Sequence, residues 1–160
     1  MDVDGTLTDG TIYISEKGEA FKGFNVKDGY GIANTLPENG IIPVIMTGRK
    51  SEIVVRRCKE LKVEEVYQET KNKLEFLKEF ISNKDIRPEN IAYIGDDLND
   101  YDCMKFVQEG NGITGCPKDA VEKIQSISLY KCSLDGGKGA VREFIDFLIG
   151  NRLVSQSIEG

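Results

Sequence analysis

Met1-Asp2-Val3-Asp4-Gly5-Thr6-Leu7-Thr8-Asp9-Gly10 sets two carboxylates two positions apart, immediately ahead of Gly-Thr. If residues 1–4 end a strand, Asp2 and Asp4 point to the same side, because side chains alternate along a strand. Gly5 then lets the backbone turn away sharply. Two like charges held this close repel, so the pair calls for a cation beside it. A hard, oxygen-seeking ion such as Mg2+ fits, since the stretch offers carboxylates and the chain has no histidine. Asp-Gly is also common in ordinary loops, so the meaning of the stretch depends on what lies beyond it.

Three later pieces bear on it. Met46-Thr47-Gly48-Arg49 follows an apolar run, Lys73 opens an amphipathic helical pattern, and Gly95-Asp96-Asp97-Leu98-Asn99-Asp100 follows Ile91-Ala92-Tyr93-Ile94. Each has an ordinary reading by itself: a plain turn, a solvated helix residue, a helix cap. Taken in order, Asp-x-Asp-Gly-Thr, Thr-Gly-Arg, Lys and Gly-Asp-Asp-x-x-Asp resemble the haloacid dehalogenase (HAD) superfamily of aspartate-dependent phosphotransferases. The resemblance implies that Asp2 attacks phosphorus and becomes an aspartyl phosphate. It implies that Asp4 protonates the leaving alkoxide and then deprotonates the hydrolytic water. Thr47 would donate a hydrogen bond to the phosphoryl group and Lys73 would neutralise its charge. Asp2, Asp96 and the backbone carbonyl of Asp4 would hold Mg2+. Asp97 and Asp100 are second-line candidates for orienting bound water or Lys73.

Strand and helix patterns alternate along the rest of the chain. Residues 11–15 and 20–24 are β-rich runs around a Gly-containing turn and read as a hairpin. A short helix is expected to end near Asn39-Gly40, with a buried strand over 41–46 despite Pro43. Ser51 can cap a helix with Val54, Cys58 and Leu61 on one stripe. Val66-Tyr67 is a brief strand, and Leu74, Leu77 and Ile81 stripe a helix that begins near Asn72. Residues 91–94 read as a strand after Pro88, 118–124 as a helix and 127–130 as a late strand. Val141, Phe144, Ile145 and Leu148 stripe a final helix, and 151–160 read as a polar tail. This predicts an α/β, Rossmann-like fold: a mainly parallel sheet with helices on both faces, a β-hairpin insertion over 11–24, and one domain over 1–150.

At 160 residues the chain is long enough to bury a core, and 39% apolar with 30% charged residues describes a globular protein. A net charge of −6 argues against nonspecific binding to nucleic acid or to anionic membranes. Cys58, Cys103, Cys116 and Cys132 show no Cys-x-x-Cys spacing and read as reduced packing residues. No cationic-then-apolar leader opens the sequence and no apolar run reaches about 18 residues, so a cytoplasmic location is expected.

A separate cap domain shields the site in many HAD relatives. Here the stretch from Asp4 to Thr47 is already filled by a hairpin, a helix and a strand, and that from Thr47 to Lys73 by one helix and one strand. Neither can hold a folded domain, so neighbouring subunits are the expected lid. Further stretches narrow the resemblance: Asp9-Gly10, Phe24-Asn25-Val26-Lys27-Asp28-Gly29-Tyr30-Gly31, Thr47-Gly48-Arg49-Lys50, Tyr67-Gln68, Asn72-Lys73-Leu74 and Gly136-Gly137-Lys138-Gly139-Ala140-Val141-Arg142-Glu143. These are similar to the 3-deoxy-D-manno-octulosonate (KDO) 8-phosphate phosphatase family. That resemblance implies a capless, Mg2+-dependent homotetramer whose hairpins build a central barrel, acting on a keto-sugar acid phosphate in lipopolysaccharide biosynthesis. It brings Gly48, Arg49, Lys138 and Arg142 to the substrate side beside Thr47 and Lys73. Arg49 is a fork-shaped donor suited to a carboxylate, whereas Arg142 can equally pair with Glu143 or Asp146. Glu69 departs from the family's pattern and keeps the nine-carbon acid 9-phosphates open as substrates. A non-catalytic assembly module of the same fold is the alternative of a different class.

Overall fold

The structure, a computed structural model, describes residues 1–158, with side chains as far as Asn151. The chain first makes an antiparallel hairpin of β1 (Tyr13–Ser15) and β2 (Gly18–Phe21). Helix α1 (Val26–Tyr30), capped by the Asn25 side chain, passes through a π-helical stretch, Gly31–Thr35, into α2 (Leu36–Glu38). Strand β3 (Val44–Met46), helix α3 (Glu52–Glu60), strand β4 (Glu65–Tyr67) and helix α4 (Lys73–Asn83) follow. The second half alternates β5 (Ala92–Ile94), α5 (Leu98–Glu109), β6 (Ile113–Cys116), α6 (Glu122–Ile127), β7 (Tyr130–Lys131) and α7 (Ala140–Ile158).

Two parallel sheets form, β3 with β4, and β5 with β6 with β7. Residues 1–3 are the seam between them. The Met46 amide donates to the Met1 carbonyl at 3.0 Å, and the Asp2 amide donates to the Ile94 carbonyl at 3.1 Å. The layer therefore runs β4, β3, residues 1–3, β5, β6, β7. Residues 1–3 are held because they are sandwiched: Val3 is fully buried, and its neighbours satisfy backbone groups that would otherwise be stranded in the core.

Alternation along the strands splits the apolar residues between two cores. Ile45 and Ile94 join Val3, Val54 and the α7 residues Val141, Phe144 and Ile145 on one face. Met46 and Tyr93 join Leu77 and Ile81 of α4, Met104 and Val107 of α5 and Ile124 of α6 on the other. Helices cover both faces, as a parallel sheet requires.

Several boundaries differ from the sequence pattern. The strand expected over 41–46 begins at Val44, because Pro43 cannot donate to a ladder. The hairpin strands are shorter than 11–15 and 20–24. The helix expected over 118–124 is α6, starting at Glu122. Before it, the Ala120 amide turns back to the Pro117 carbonyl and the Val121 amide is taken by the Asp96 carbonyl. The late strand falls at Tyr130–Lys131 rather than over 127–130. Strand β6 has no counterpart in the pattern, since Gly112 and Gly115 interrupt its short β-branched run. The polar tail expected over 151–160 is helix through Ile158, because no proline stops the chain after Gly150; residues 159–160 lie outside the described residues. All four cysteines are free and buried.

Candidate active site

Asp2 in the seam, Thr47 directly after β3 and Asp96 two residues after β5 lie along one edge of the sheet, where ligands of open α/β folds gather. Lys73 reaches the same place as the first residue of α4, which the Asn72 side chain caps by accepting from the Glu75 amide at 3.1 Å. Its ammonium lies 2.8 Å from Asp2 Oδ1 and 2.7 Å from Asp100 Oδ1, with the side chain 2% exposed. Burial alone would lower the proton affinity of Lys73, but the two carboxylates outweigh it and raise its pKa.

Oxygens of Asp2, Asp96 and Asp100 all lie within 4.8 Å of one another. Three carboxylates against one ammonium leave two negative charges, the complement of one divalent cation. The strain appears in proton affinity: burial, then Asp100, push Asp2 up to about 6, and burial, then Asp2, push Asp96 to about 7. Asp100 is the most heavily engaged of the three. Its Oδ1 accepts from Lys73 Nζ and, at 2.7 Å, from the buried Tyr93 hydroxyl, and its Oδ2 accepts from the Asp96 amide at 3.2 Å. Asp2 and Asp96 keep more free lone pairs, Asp96 accepting from the Thr6 hydroxyl at 2.9 Å. An all-oxygen, doubly negative set of this kind suits Mg2+.

Gly5 is what lets the loop close. It has φ +92°, and a β-carbon there would stand 1.9 Å from Asp96 Oδ2.

Asp4 faces a second, charge-balanced group. Its carboxylate pairs with Lys22 and lies 3.7 Å from Arg49 Nε. Lys22 also lies 2.8 Å from Glu19, and Arg49 Nη2 lies 3.5 Å from the same carboxylate. The buried Ser51 hydroxyl donates to Glu19 while accepting from the Val54 amide as the cap of α3. Burial disfavours the charge on Glu19, but Lys22 and Ser51 outweigh it and hold its carboxyl below the usual range. Lys22 and Glu19 escape sequence reasoning because hairpin charges ordinarily face solvent. Tyr93 escapes it because an apolar strand gives no sign of which aromatic hydroxyl meets a carboxylate.

Thr47 is buried, its hydroxyl oxygen 3.4 Å from the Arg49 amide that donates to it, while Gly48 is exposed beside it. Asp97 is exposed and accepts from the Leu98 amide at 2.7 Å as the cap of α5. Lys138 and Arg142 are not brought to this cluster by the contacts of the chain. Lys138 is exposed, and the Arg142 guanidinium pairs with Asp146 at 2.8 Å over the Tyr30 ring. The glycine turn at Gly136-Gly137 packs on the chain's own first loop. The Gly137 amide donates to the Thr6 carbonyl at 3.1 Å, and a β-carbon on Gly136 would sit 1.9 Å from the Gly5 carbonyl oxygen.

Residues 62–136 match the family model of haloacid dehalogenase-like hydrolases. The chain is 42% identical over 149 residues to the 3-deoxy-D-manno-octulosonate 8-phosphate phosphatase KdsC of Salmonella typhi, covering 93% of this chain and 77% of that protein. The crystal structure of the corresponding Moraxella catarrhalis phosphatase, in complex with magnesium, phosphate and KDO, superposes with a TM-score of 0.86 at 34% identity, covering 97% of this chain and 89% of that one. The cobalt-bound phosphatase of Haemophilus influenzae gives 0.86 at 32% identity, covering 93% and 84%.

Proposed function

The chain belongs to the 3-deoxy-D-manno-octulosonate 8-phosphate phosphatase family of haloacid dehalogenase-like hydrolases, and from that premise we propose that it hydrolyses KDO 8-phosphate to KDO and phosphate through an aspartyl phosphate. The observation that carries this reading is the buried Asp2–Lys73–Asp100 line beside Asp96, with two negative charges left over. Asp2, Asp96 and the Asp4 backbone carbonyl would hold Mg2+, which would supply electrostatic stabilisation of the phosphoryl group when bound. Lys73 keeps its charge at neutral pH and steadies the Asp2 carboxylate. Asp2 attacks phosphorus, the phosphorus–oxygen ester bond breaks, and Asp4 gives its proton to the departing alkoxide. Water then attacks the same phosphorus, Asp4 takes a proton from it, and the Asp2–phosphorus bond breaks to release phosphate.

Thr47 donates a hydroxyl hydrogen bond to the phosphoryl group, Gly48 lets that group come close, and Arg49 faces the sugar acid carboxylate. Asp100 fixes Lys73, and Asp97 shapes the α5 turn. Lys138 and Arg142, which contacts within the chain leave outside this cluster, would serve the substrate of a neighbouring subunit. The enzyme works in the cytoplasm as a homotetramer whose neighbouring subunits take the place of a cap. A residue 69 departure, with exposed Glu69 at φ 57°, keeps nine-carbon acid 9-phosphates in the trial set.

The test is phosphate release from a panel of sugar acid phosphates and simple esters, with and without Mg2+. KDO 8-phosphate is expected to be the best substrate, with turnover lost on chelation. Asp2→Asn should lower kcat by at least about 10³-fold while the protein still folds, because an amide is a far poorer nucleophile. Near-normal turnover by that variant would end the aspartyl-phosphate mechanism.

A further inference from the structure

We propose that Lys22 is a positioning residue for Asp4, delivered to the active site by the hairpin and braced there by Glu19. The inference rests on the reading of Asp4 as the proton donor to the leaving group, and it assigns that donor its aim.

Lys22 follows β2 directly, yet its side chain is 2% exposed and its ammonium pairs with Asp4 and Glu19. Lysine is a strongly hydrated point charge on a flexible stem, so burying one needs specific compensation. The hairpin itself does not demand it. The outward residues Ile14 and Phe21 are 75% and 55% exposed, so the ribbon's apolar side chains are not what draws Lys22 inward.

What fixes Lys22 lies across the site. Glu19 is anchored to Ser51 and to Arg49, and Ser51 is itself the cap of α3. The ammonium therefore rests on a carboxylate tied to a helix end. Asp4, by contrast, sits in a turn, and its other charged neighbour, Arg49 Nε, is looser at 3.7 Å. Lys22 is thus the contact that sets where the Asp4 carboxyl group points. Proton transfer needs hydrogen-bond reach to the leaving oxygen, so that direction matters to the reaction.

The chemistry supplies a readout that a merely structural role would not move. When Asp2 bonds to phosphorus, the ester oxygen leaves with the bonding electron pair. An alkoxide such as that of KDO leaves well only if Asp4 protonates it, whereas 4-nitrophenolate leaves unaided. The ratio kcat/KM covers events up to that departure and omits the later hydrolysis. Misaiming Asp4 should therefore harm the alkyl ester and largely spare the aryl one.

The experiment measures kcat/KM on KDO 8-phosphate and on 4-nitrophenyl phosphate for the wild type, Lys22→Met, Lys22→Arg and Asp4→Asn. Lys22→Met is expected to lose about tenfold or more on the alkyl ester beyond its loss on the aryl ester, toward the size of a general-acid contribution. Lys22→Arg should recover much of the difference. Lys22→Met/Glu19→Gln removes one charge of each sign and supplies the same ratio should the single variant unfold. Equal losses on both esters, or none on either, would overturn the proposal. If Asp4→Asn itself fails to discriminate between the esters, the reading of Asp4 falls, which is a separate result.

Discussion

Asp2 and Asp96 are carboxylates held short of their preferred charge, with pKa values pushed to about 6 and about 7. The sign of the pH effect follows. A carboxyl group whose folded pKa is raised keeps its proton in the fold after the unfolded chain has lost it. Metal-free stability from this pair is therefore fullest below the unfolded value near 3.8 and falls as pH rises toward about 7. A divalent cation binds the ionised forms and reverses the loss. The gain in Tm on adding Mg2+ should thus be larger at about pH 7.5 than at about pH 5. A gain independent of pH, read by calorimetry, would mean the ion binds elsewhere. At this scale the sequence was informative wherever a motif fixes order. The first loop, Thr47, Lys73 and Asp96 converge as the strand ends demand. Lys22 and Glu19 were illegible, because only the closing of the hairpin decides that their charges turn inward.

The turn ahead of α7 serves as a buttress. Gly136 lies against the Gly5 carbonyl with no room for a methyl group, and α7 starts three residues after Gly137. Asp28 holds the other side of that helix start, accepting from the Arg142 amide at 2.7 Å. Gly136→Ala should therefore lower Tm and lower kcat together, by moving the loop that carries Asp2 and Asp4; an active, fully stable variant would contradict the contact. Arg142→Ala is the contrasting case. Its guanidinium makes an exposed pair with Asp146, worth about 0–1 kcal/mol. Its kcat/KM on KDO 8-phosphate should nonetheless fall about tenfold if Arg142 serves a neighbour's substrate, and a change within about twofold would leave it a surface ion pair. Periodicity revealed the helices whose stripes are long, as in α4 and α7. It failed at β6 and at the ends of α6, where glycines and backbone bonds to distant segments decide.

Among the described residues no domain-sized insertion lies over the strand ends, and Ile14 and Phe21 of the hairpin are left in solvent, as is Val26 at 81% exposure. A two-stranded ribbon is marginal alone, and a contiguous apolar surface invites a partner. The tetramer proposed above would cover it. Replacing Ile12 and Ile14 with Asp puts charge into that contact and should give smaller particles by light scattering, with folded subunits. Persistence of a tetramer in that double variant would move the interface elsewhere. The missing cap was legible from the short intervals between motifs. What covers the ribbon was not, because an amphipathic strand shows that it needs a cover without naming one.

The seam made by residues 1–3 has a consequence for the order in which the enzyme comes into being. Asp2 precedes Lys73 and β5 by a long stretch of chain, yet its backbone amide donates to the Ile94 carbonyl and its carboxylate pairs with Lys73. Pairings this distant close late in folding. A nascent chain that has finished β3 and β4 holds half a sheet with one raw edge and no phosphatase. Activity should switch on in a single step, when β5 and α4 arrive to clasp residues 1–3.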